Sequence, residues 1–334
     1  MTSVEPGHRA SPPSYLRKDS PSPSAPGRER GPASEVWRLI YQPPGLAADL
    51  LAGSERLLAS VGAGATPALR WYVTLRPALV LGVGQPVSEI DVDACARAGI
   101  PVVRRSSGGA AVLADDGLLN LDVVLPAGHR LGSRDVVQAY AWLGAGLARS
   151  LGCLGWAART VAPDEARRDT TALRAATNPR ETTLHRTCFG GRSPHEVLVD
   201  ERKVVGLCQV RRRAGTLYQI GILLQFDAAR IAGLLSGPSA ERSRGATQLG
   251  RRASGLQTLP LEHAELDRDV RGAVTTARQT GMQRVLDGVS PNHRASAGEI
   301  ILGVERAIAT IAMATYRLAE PCPATTIDER QLDG

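Results

Sequence analysis

The sequence predicts an α/β fold of the α+β kind, and three observations carry that expectation. Leu46 to Val61 holds Leu46, Leu50, Leu51, Leu57, Leu58 and Val61 at helical spacing, as an amphipathic helix requires. Short apolar runs bounded by Gly and Pro, such as Leu69-Arg70-Trp71-Tyr72-Val73 and Ala78-Leu79-Val80-Leu81, read as strands. From 188 to 224, apolar runs alternate with turn residues in the manner of β-hairpins. With 334 residues, 43% of them hydrophobic, the chain can bury a sizeable core in one large domain or two modest ones. Aromatics make up only 4%, so that core is mainly Leu, Val, Ile and Ala.

The elements follow in order. Residues 1–34 are Pro, Ser, Gly and Arg with almost nothing apolar, and a disordered tail is expected because nothing offsets the entropy of ordering it. Val36 to Ile40 is a strand ended by Pro43-Pro44-Gly45, and the Leu46–Val61 helix follows, with Glu55 on it. After the two strands named above, Gly82-Val83-Gly84-Gln85 forms a turn in which Gln85 is either a polar cleft lining or a plain turn residue. Ser88 to Ala98 reads as a short helix capped by Ser88, with Asp91 three residues on. Ile100 to Val103 delivers Arg104 and Arg105 to a Ser106-Ser107-Gly108-Gly109 turn. Ala110–Leu113 and Leu119–Leu125 are expected to form a hairpin about Asp116-Gly117. Asn120 and Asp122 then share one strand face, where they could position a substrate or an ion.

Asp135 to Leu151 has the periodicity of a helix with Ser133 as its cap, and Ala157 to Thr187 reads as a long polar loop. Pro194–Val199, the Asp200-Glu201-Arg202 turn, Lys203–Arg211 and Leu217–Leu224 make the hairpins. Helix resumes over 227–236, residues 238–258 look basic and loose, and helices are expected over about 263–287 and 297–318. The last carries Ile300, Ile301, Val304, Ile308 and Ile311 on one face.

Charge and cysteine content narrow the function class. The net charge of +7 suits acidic partners, but part of it lies in the tail and in loops such as Arg251-Arg252. No aromatic-rich basic strand motif occurs, so no nucleic-acid partner is expected. The five cysteines, Cys95, Cys153, Cys188, Cys208 and Cys322, are odd in number and irregular in spacing, which fits free thiols in a reducing compartment. His185 and Cys188 lack a second pair of ligands, so no metal site is assigned. No apolar run approaches ~18 residues and no secretory signal opens the chain, so the expectation is a cytoplasmic protein without a membrane span.

The segment Val102-Val103-Arg104-Arg105-Ser106-Ser107-Gly108-Gly109-Ala110-Ala111-Val112, followed by Asp115, Gly117 and Asn120-Leu121, is the most informative in the chain. Two forked donors beside a backbone without Cβ atoms can cradle an anion, and the same residues can equally make a hairpin with solvated arginines. Gly82-Val83-Gly84-Gln85, Cys188-Phe189 through Glu196, and Lys203-Val204-Val205-Gly206-Leu207-Cys208-Gln209-Val210-Arg211 follow in register with it. Together these blocks resemble the biotin/lipoate protein ligase catalytic-domain family, in particular its lipoate-protein ligase A type, over roughly residues 36–235.

The resemblance implies a mixed, largely antiparallel sheet flanked by helices, of the class II synthetase and biotin-ligase kind. It implies a catalytic domain over 35–236, with a loose basic linker and C-terminal helices over 237–334. Those helices are either a reduced accessory domain or a last packing layer. The resemblance also implies Lys203 and Cys188 as catalytic candidates. Gln85, Arg104, Arg105, Ser107, Gly108, Gly109, Asn120, Gly206 and Gln209 would line an acyl-adenylate pocket. Departures fall at Ala110, Leu113-Ala114, Leu207-Cys208 and Gln219-Ile220-Gly221.

Three functions stay open at this point. An ATP-dependent ligase would use ATP and Mg²⁺ to activate lipoate or octanoate, with Lys203 at the carboxylate and phosphate oxygens, and would modify a lysine of a lipoyl-domain protein. A cysteine-type octanoyltransferase would take octanoate from acyl carrier protein onto Cys188, which Arg186, Arg192 and Lys203 flank in sequence. A divergent protein would bind the acyl group or the lipoyl domain without catalysis. The ligase is the first reading.

Overall fold

The computed structural model describes residues 34–62, 64–176, 183–261 and 275–321; the expected tail and Cys322 lie outside them. The strands in chain order are β1 (Glu35–Tyr41), β2 (Ala68–Tyr72), β3 (Ala78–Leu81), β4 (Val102–Arg104), β5 (Val112–Ala114), β6 (Leu118–Pro126), β7 (Ala158–Thr160), β8 (Val197–Val199), β9 (Arg202–Arg211), β10 (Gly215–Leu223) and β11 (Ala314–Leu318). The helices are α1 (Ala47–Ala59), α2 (Val92–Arg97), α3 (Ala141–Cys153), α4 (Pro163–Ala176), α5 (Thr183–Arg186), α6 (Ala228–Gly233), α7 (Ser239–Arg252), α8 (Thr276–Leu286) and α9 (Arg294–Ala312).

Eight strands form one sheet in the order β11-β1-β2-β6-β10-β9-β8-β7. β1 runs parallel to β11 and β2, and the other pairs are antiparallel, so the sheet is mixed and largely antiparallel as expected. A second sheet has the order β4-β3-β5. Asp200 and Glu201, at φ +48° and +57°, close the β8–β9 hairpin in the left-handed geometry that two-residue turns use.

Several elements differ from the sequence reading. β5 and β6 do not pair about Asp116-Gly117: β5 joins β3 in the small sheet while β6 joins β2 and β10. The turn therefore carries the chain from one sheet to the other, with Gly117 N donating to Asp115 Oδ1 at 3.0 Å. Asp91, not Ser88, caps α2 by accepting from Ala94 N at 2.8 Å. Asp135 accepts from the amides of Val137 and Gln138, and this side-chain turn delays α3 to Ala141.

Where it is described, the polar stretch after Ala157 holds β7, α4 and α5 instead of a loop, and 177–182 lies outside the described residues. Pro163 at the first helical position with Asp164 and Glu165 beside it was the overlooked start signal. Likewise 239–252 is helix α7, which buries only Gly245 and Leu249. The expected 263–287 helix is α8 where it is described, and 262–274 lies outside the described residues. The final helix stops at Met313, whose φ of +44° turns the chain into β11.

The main core places Trp37 and Trp71 with Leu143 and Leu147 of α3 and with Ile300, Ile301, Val304 and Ile308 of α9. The C-terminal helices α8 and α9 contribute residues to this same core, and β11 pairs with β1 at the edge of the sheet. Among the described residues no helix is long and apolar enough to cross a membrane.

Candidate active site

One face of the central strands makes the floor of the site. Antiparallel register sets Tyr72 opposite Asn120, Asn120 opposite Gly221 and Gly221 opposite Gly206. The two glycines leave a trough across the sheet. From β9 to β2 it crosses three interstrand spacings, roughly 14 Å. Ala47, Leu50 and Leu51 of α1 border the space above it with Val80 and Phe189, and the result is a mainly apolar cavity. A second, more polar groove contains Gly108, Gly109, Arg192, Ser193 and Gln209. Cavity and groove share Cys188, Leu207 and Cys208.

Helix α1 is fastened over the trough by a buried network. Asp122 Oδ2 accepts from Arg70 Nη1 at 3.0 Å and from Ser54 Oγ at 2.6 Å, and Asp122 Oδ1 accepts from Tyr72 OH at 3.2 Å. Burial pushes the Asp122 carboxyl up, and the Arg70 charge opposes that shift. The face shared by Asn120 and Asp122 therefore divides. Asn120 lines the cavity, whereas Asp122 is locked beneath α1 and is not part of the lining.

Three loops meet at Cys188. Its amide donates to Ala111 O at 2.7 Å, and its carbonyl accepts from Lys203 Nζ at 2.7 Å. Lys203 Nζ also reaches Gly191 O at 3.2 Å and Glu196 Oε1 at 2.7 Å, and it lies 5.1 Å from the centre of the Phe189 ring. Glu196 in turn accepts from Ser193 N at 2.7 Å and Leu207 N at 3.3 Å. Burial raises the Glu196 pKa, and the Lys203 charge opposes it. Lys203 is thus a buried strut under the Cys188 loop, engaged from several sides, where the resemblance implied a lysine turned to substrate.

The two arginines also serve the loops. Arg104 Nη1 donates to Gly82 O at 2.6 Å, Val83 O at 3.2 Å and Gln85 O at 2.8 Å. Arg105 Nη2 donates to Gly108 O at 2.8 Å and Ala110 O at 2.9 Å, and Arg105 Nη1 to Val80 O at 3.3 Å. Gly109 sits at φ +95°, and a Cβ on Gly82 would stand 1.9 Å from Gly109 O. The glycines thus serve a close loop–loop approach. Gln85 Nε2 donates to Arg186 O at 3.0 Å, tying the turn to the Cys188 loop instead of lining the cavity or the groove. Ser107 Oγ donates to Gln219 Oε1 at 2.7 Å and lies 3.2 Å from Cys208 Sγ. Gln209 Nε2 donates to Val136 O at 2.9 Å at the groove's edge.

The flanking cations are engaged as well. Arg192 pairs with Glu165 at 2.8 Å and Arg186 Nη1 donates to Ser236 O at 2.7 Å. Phosphates need converging free donors. Arg104, Arg105 and Lys203 instead serve their own backbone and Glu196, and among the described residues no cluster of three or more His, Cys, Asp or Glu could hold a metal ion. The arginines expected to line an acyl-adenylate pocket therefore do not present converging free donors to its phosphate. Sequence reasoning assigned no role to Glu196, Cys208 or Gln219. Glu196 closed one quoted block, and the other two were visible as departures from the family pattern. Burial pushes the Cys208 thiol up, the Arg105 charge opposes that, and Cys188 adds to it.

Residues 47–272 match the family model described as the lipoyl protein ligase A/B catalytic domain. The chain is 31% identical over 247 residues to octanoyltransferase LipM of Kyrpidia tusciae, covering 73% of this chain and 83% of that one. It is 32% identical over 214 residues to octanoyltransferase LipM of Geobacillus kaustophilus, covering 62% and 72%. Among solved structures, an archaeal bipartite lipoate protein ligase from Thermoplasma acidophilum superposes with a TM-score of 0.59 at 19% identity, covering 86% of this chain and 88% of that one. At that identity the likeness shows the fold. By the family model and the sequence relatives, the chain belongs to the lipoyl protein ligase A/B catalytic domain family and is an acyl-transferring enzyme of lipoyl-protein modification.

Proposed function

We propose that the protein moves an octanoyl group from a carrier-protein thioester to a lysine of a lipoyl domain, through a thioester on Cys188 and without ATP. The observation that carries this reading is the place of Cys188, at the junction of an apolar cavity and a polar groove. An acyl chain in the cavity would put its carbonyl at the thiol, and the groove would admit first the donor's arm and then the acceptor lysine. The relatives named as octanoyltransferases support it, as does the engagement of Arg104, Arg105 and Lys203 by protein groups. The ATP-dependent ligase, the first reading of the sequence, has less support.

The chemistry runs in two balanced steps. Cys188 gives its proton to solvent, its thiolate attacks the donor's thioester carbonyl, the carbon–sulfur bond to the carrier breaks, and the carrier leaves as a thiolate that takes a proton back from solvent. The neutral acceptor amine then attacks the acyl-Cys188 carbonyl, releases the Cys188 thiolate, loses a proton and becomes an amide. Lys203 acts here as a positioning residue that holds the Cys188 peptide. Asn120, Gly206 and Gly221 shape the chain's trough. Gly108 and Gly109 border the groove.

The test incubates the protein with apo lipoyl domain in two arms. One contains octanoyl-acyl carrier protein without ATP, and the other contains ATP with octanoate or lipoate. Transfer in the first arm, abolished by Cys188→Ala, is the expected result. Modification confined to the ATP arm overturns the reading in favour of the ligase. Silence in both arms, with the lipoyl domain still bound, favours a non-catalytic binder.

A further inference from the structure

Gln219 stands on β10 directly across from Cys208 on β9, and the residue is 8% exposed. It borders the apolar cavity together with Cys188 and Cys208. Ser107 Oγ donates its single hydrogen to Gln219 Oε1 at 2.7 Å. Cys208 Sγ lies 3.2 Å from that hydroxyl and donates to the Gln219 backbone carbonyl at 3.5 Å. With the Ser107 hydroxyl on Oε1, the amide's NH₂ is turned away from Ser107. Among the described residues, Gln219 Nε2 donates to no protein atom.

A ligand that brings an acceptor to this open donor gains a hydrogen bond. A saturated acyl chain offers one acceptor, its carbonyl oxygen, and that oxygen belongs at the cysteine end of the trough. The row holding Gln219 and Cys208 adjoins that end. The Ser107 carbonyl accepts from Val83 N at 2.9 Å, so the hydroxyl that orients the amide sits on a tied loop.

We infer that Gln219 is a catalytic residue, its Nε2–H donating to the thioester carbonyl oxygen as that oxygen gains charge during attack by Cys188. The inference rests on the proposed transfer through Cys188. As the Cys188 sulfur bonds to the carbonyl carbon, the π pair moves to oxygen under the Gln219 donor. The pair returns as the bond to the carrier sulfur breaks. No proton leaves Gln219. A donor held in place before the reaction stabilises the developing oxyanion without reorganisation.

The experiment measures single-turnover acylation of Cys188 by octanoyl-acyl carrier protein, using mass spectrometry of the intact protein. Gln219→Met keeps the length and removes the donor. Its acylation should be about 10²–10³-fold slower, the usual effect of losing one oxyanion donor. Its affinity for S-octyl-pantetheine, a thioether without the carbonyl, should match wild type. Gln219→Glu should be nearly inactive at neutral pH and should gain relative to wild type as pH falls, because the protonated carboxyl regains a donor. Acylation of the Met variant within about threefold of wild type overturns the inference while leaving the transfer reading intact. A wild type that is never acylated overturns the transfer reading itself. If Gln219→Met fails to fold by circular dichroism, a Glu variant whose relative activity ignores pH overturns the role of Gln219.

Discussion

Lys203 and Glu196 are each at most 2% exposed, and neither has water to replace the other. Removing one charge from such a pair strands its partner, at a cost of about 3–5 kcal/mol, whereas replacing both with neutral groups of like size is often tolerated. Glu196→Gln should therefore lower unfolding free energy by that amount in denaturant titrations. The double variant Lys203→Met with Glu196→Gln should recover much of it. The double variant should still transfer poorly, because nothing then holds the Cys188 carbonyl. Recovered stability with wild-type transfer would show that the strut is dispensable. The sequence announced these residue types but not their direction. Arg104 and Arg105 carry the forked donors that an anion needs, and only the packed loops show them turned onto Gly82, Gly108 and Ala110 carbonyls. Gln85 left two roles open, and a hydrogen bond across a hundred residues of chain to Arg186 decides between them.

At the scale of elements, the two glycine turns act as one unit. Gly82 follows β3, Gly109 precedes β5, and the space between them has no room for a methyl group. Gly82→Ala would set its Cβ 1.9 Å from Gly109 O, so one backbone must move. We expect the loop carrying Ser107 to shift, with octanoyl transfer falling more than about tenfold while secondary structure persists, since a misplacement of about 1 Å can cost 10²-fold in rate. Wild-type rates for Gly82→Ala would mean the loops are not positioned by this contact. Strong apolar periods made α1, α9 and the 200s hairpins readable in advance. α4 and α7 were not, because each buries few apolar side chains and is held by polar ties such as Asp169 with Arg252. The Asp116-Gly117 turn misled for another reason. Its local chemistry is that of a tight turn, but strand partnership is decided by distant residues of β3 and β10.

Across the whole molecule, we expect the site to depend on residues more than a hundred positions beyond Cys188. α9 packs on α3 so closely that a Cβ at Gly146 would meet Ile311 Cδ1 at 3.0 Å, and one at Gly303 would meet Ser150 Oγ at 2.7 Å. Ile300, Ile301, Val304 and Ile308 are each at most 1% exposed. Fully burying such side chains contributes about 1.5–3 kcal/mol apiece, so the four together supply about 6–12 kcal/mol. That is comparable to the roughly 5–15 kcal/mol that holds a typical domain folded. Glu305 adds a bond from Tyr41 OH at 2.9 Å and an ion pair with Arg278, fixing β1 and α8 to the same helix. A chain ending at residue 293 loses α9 and β11, bares β1 as an edge strand, and exposes the Trp37 and Trp71 side of the core. It should show no cooperative thermal transition and should bind a hydrophobic dye. Adding residues 294–321 back as a separate segment should restore both a transition and octanoyl transfer if the site relies on this layer. A truncated chain that melts cooperatively and still acylates Cys188 would instead mean that β2, β6, β10 and β9 hold the trough without the C-terminal layer.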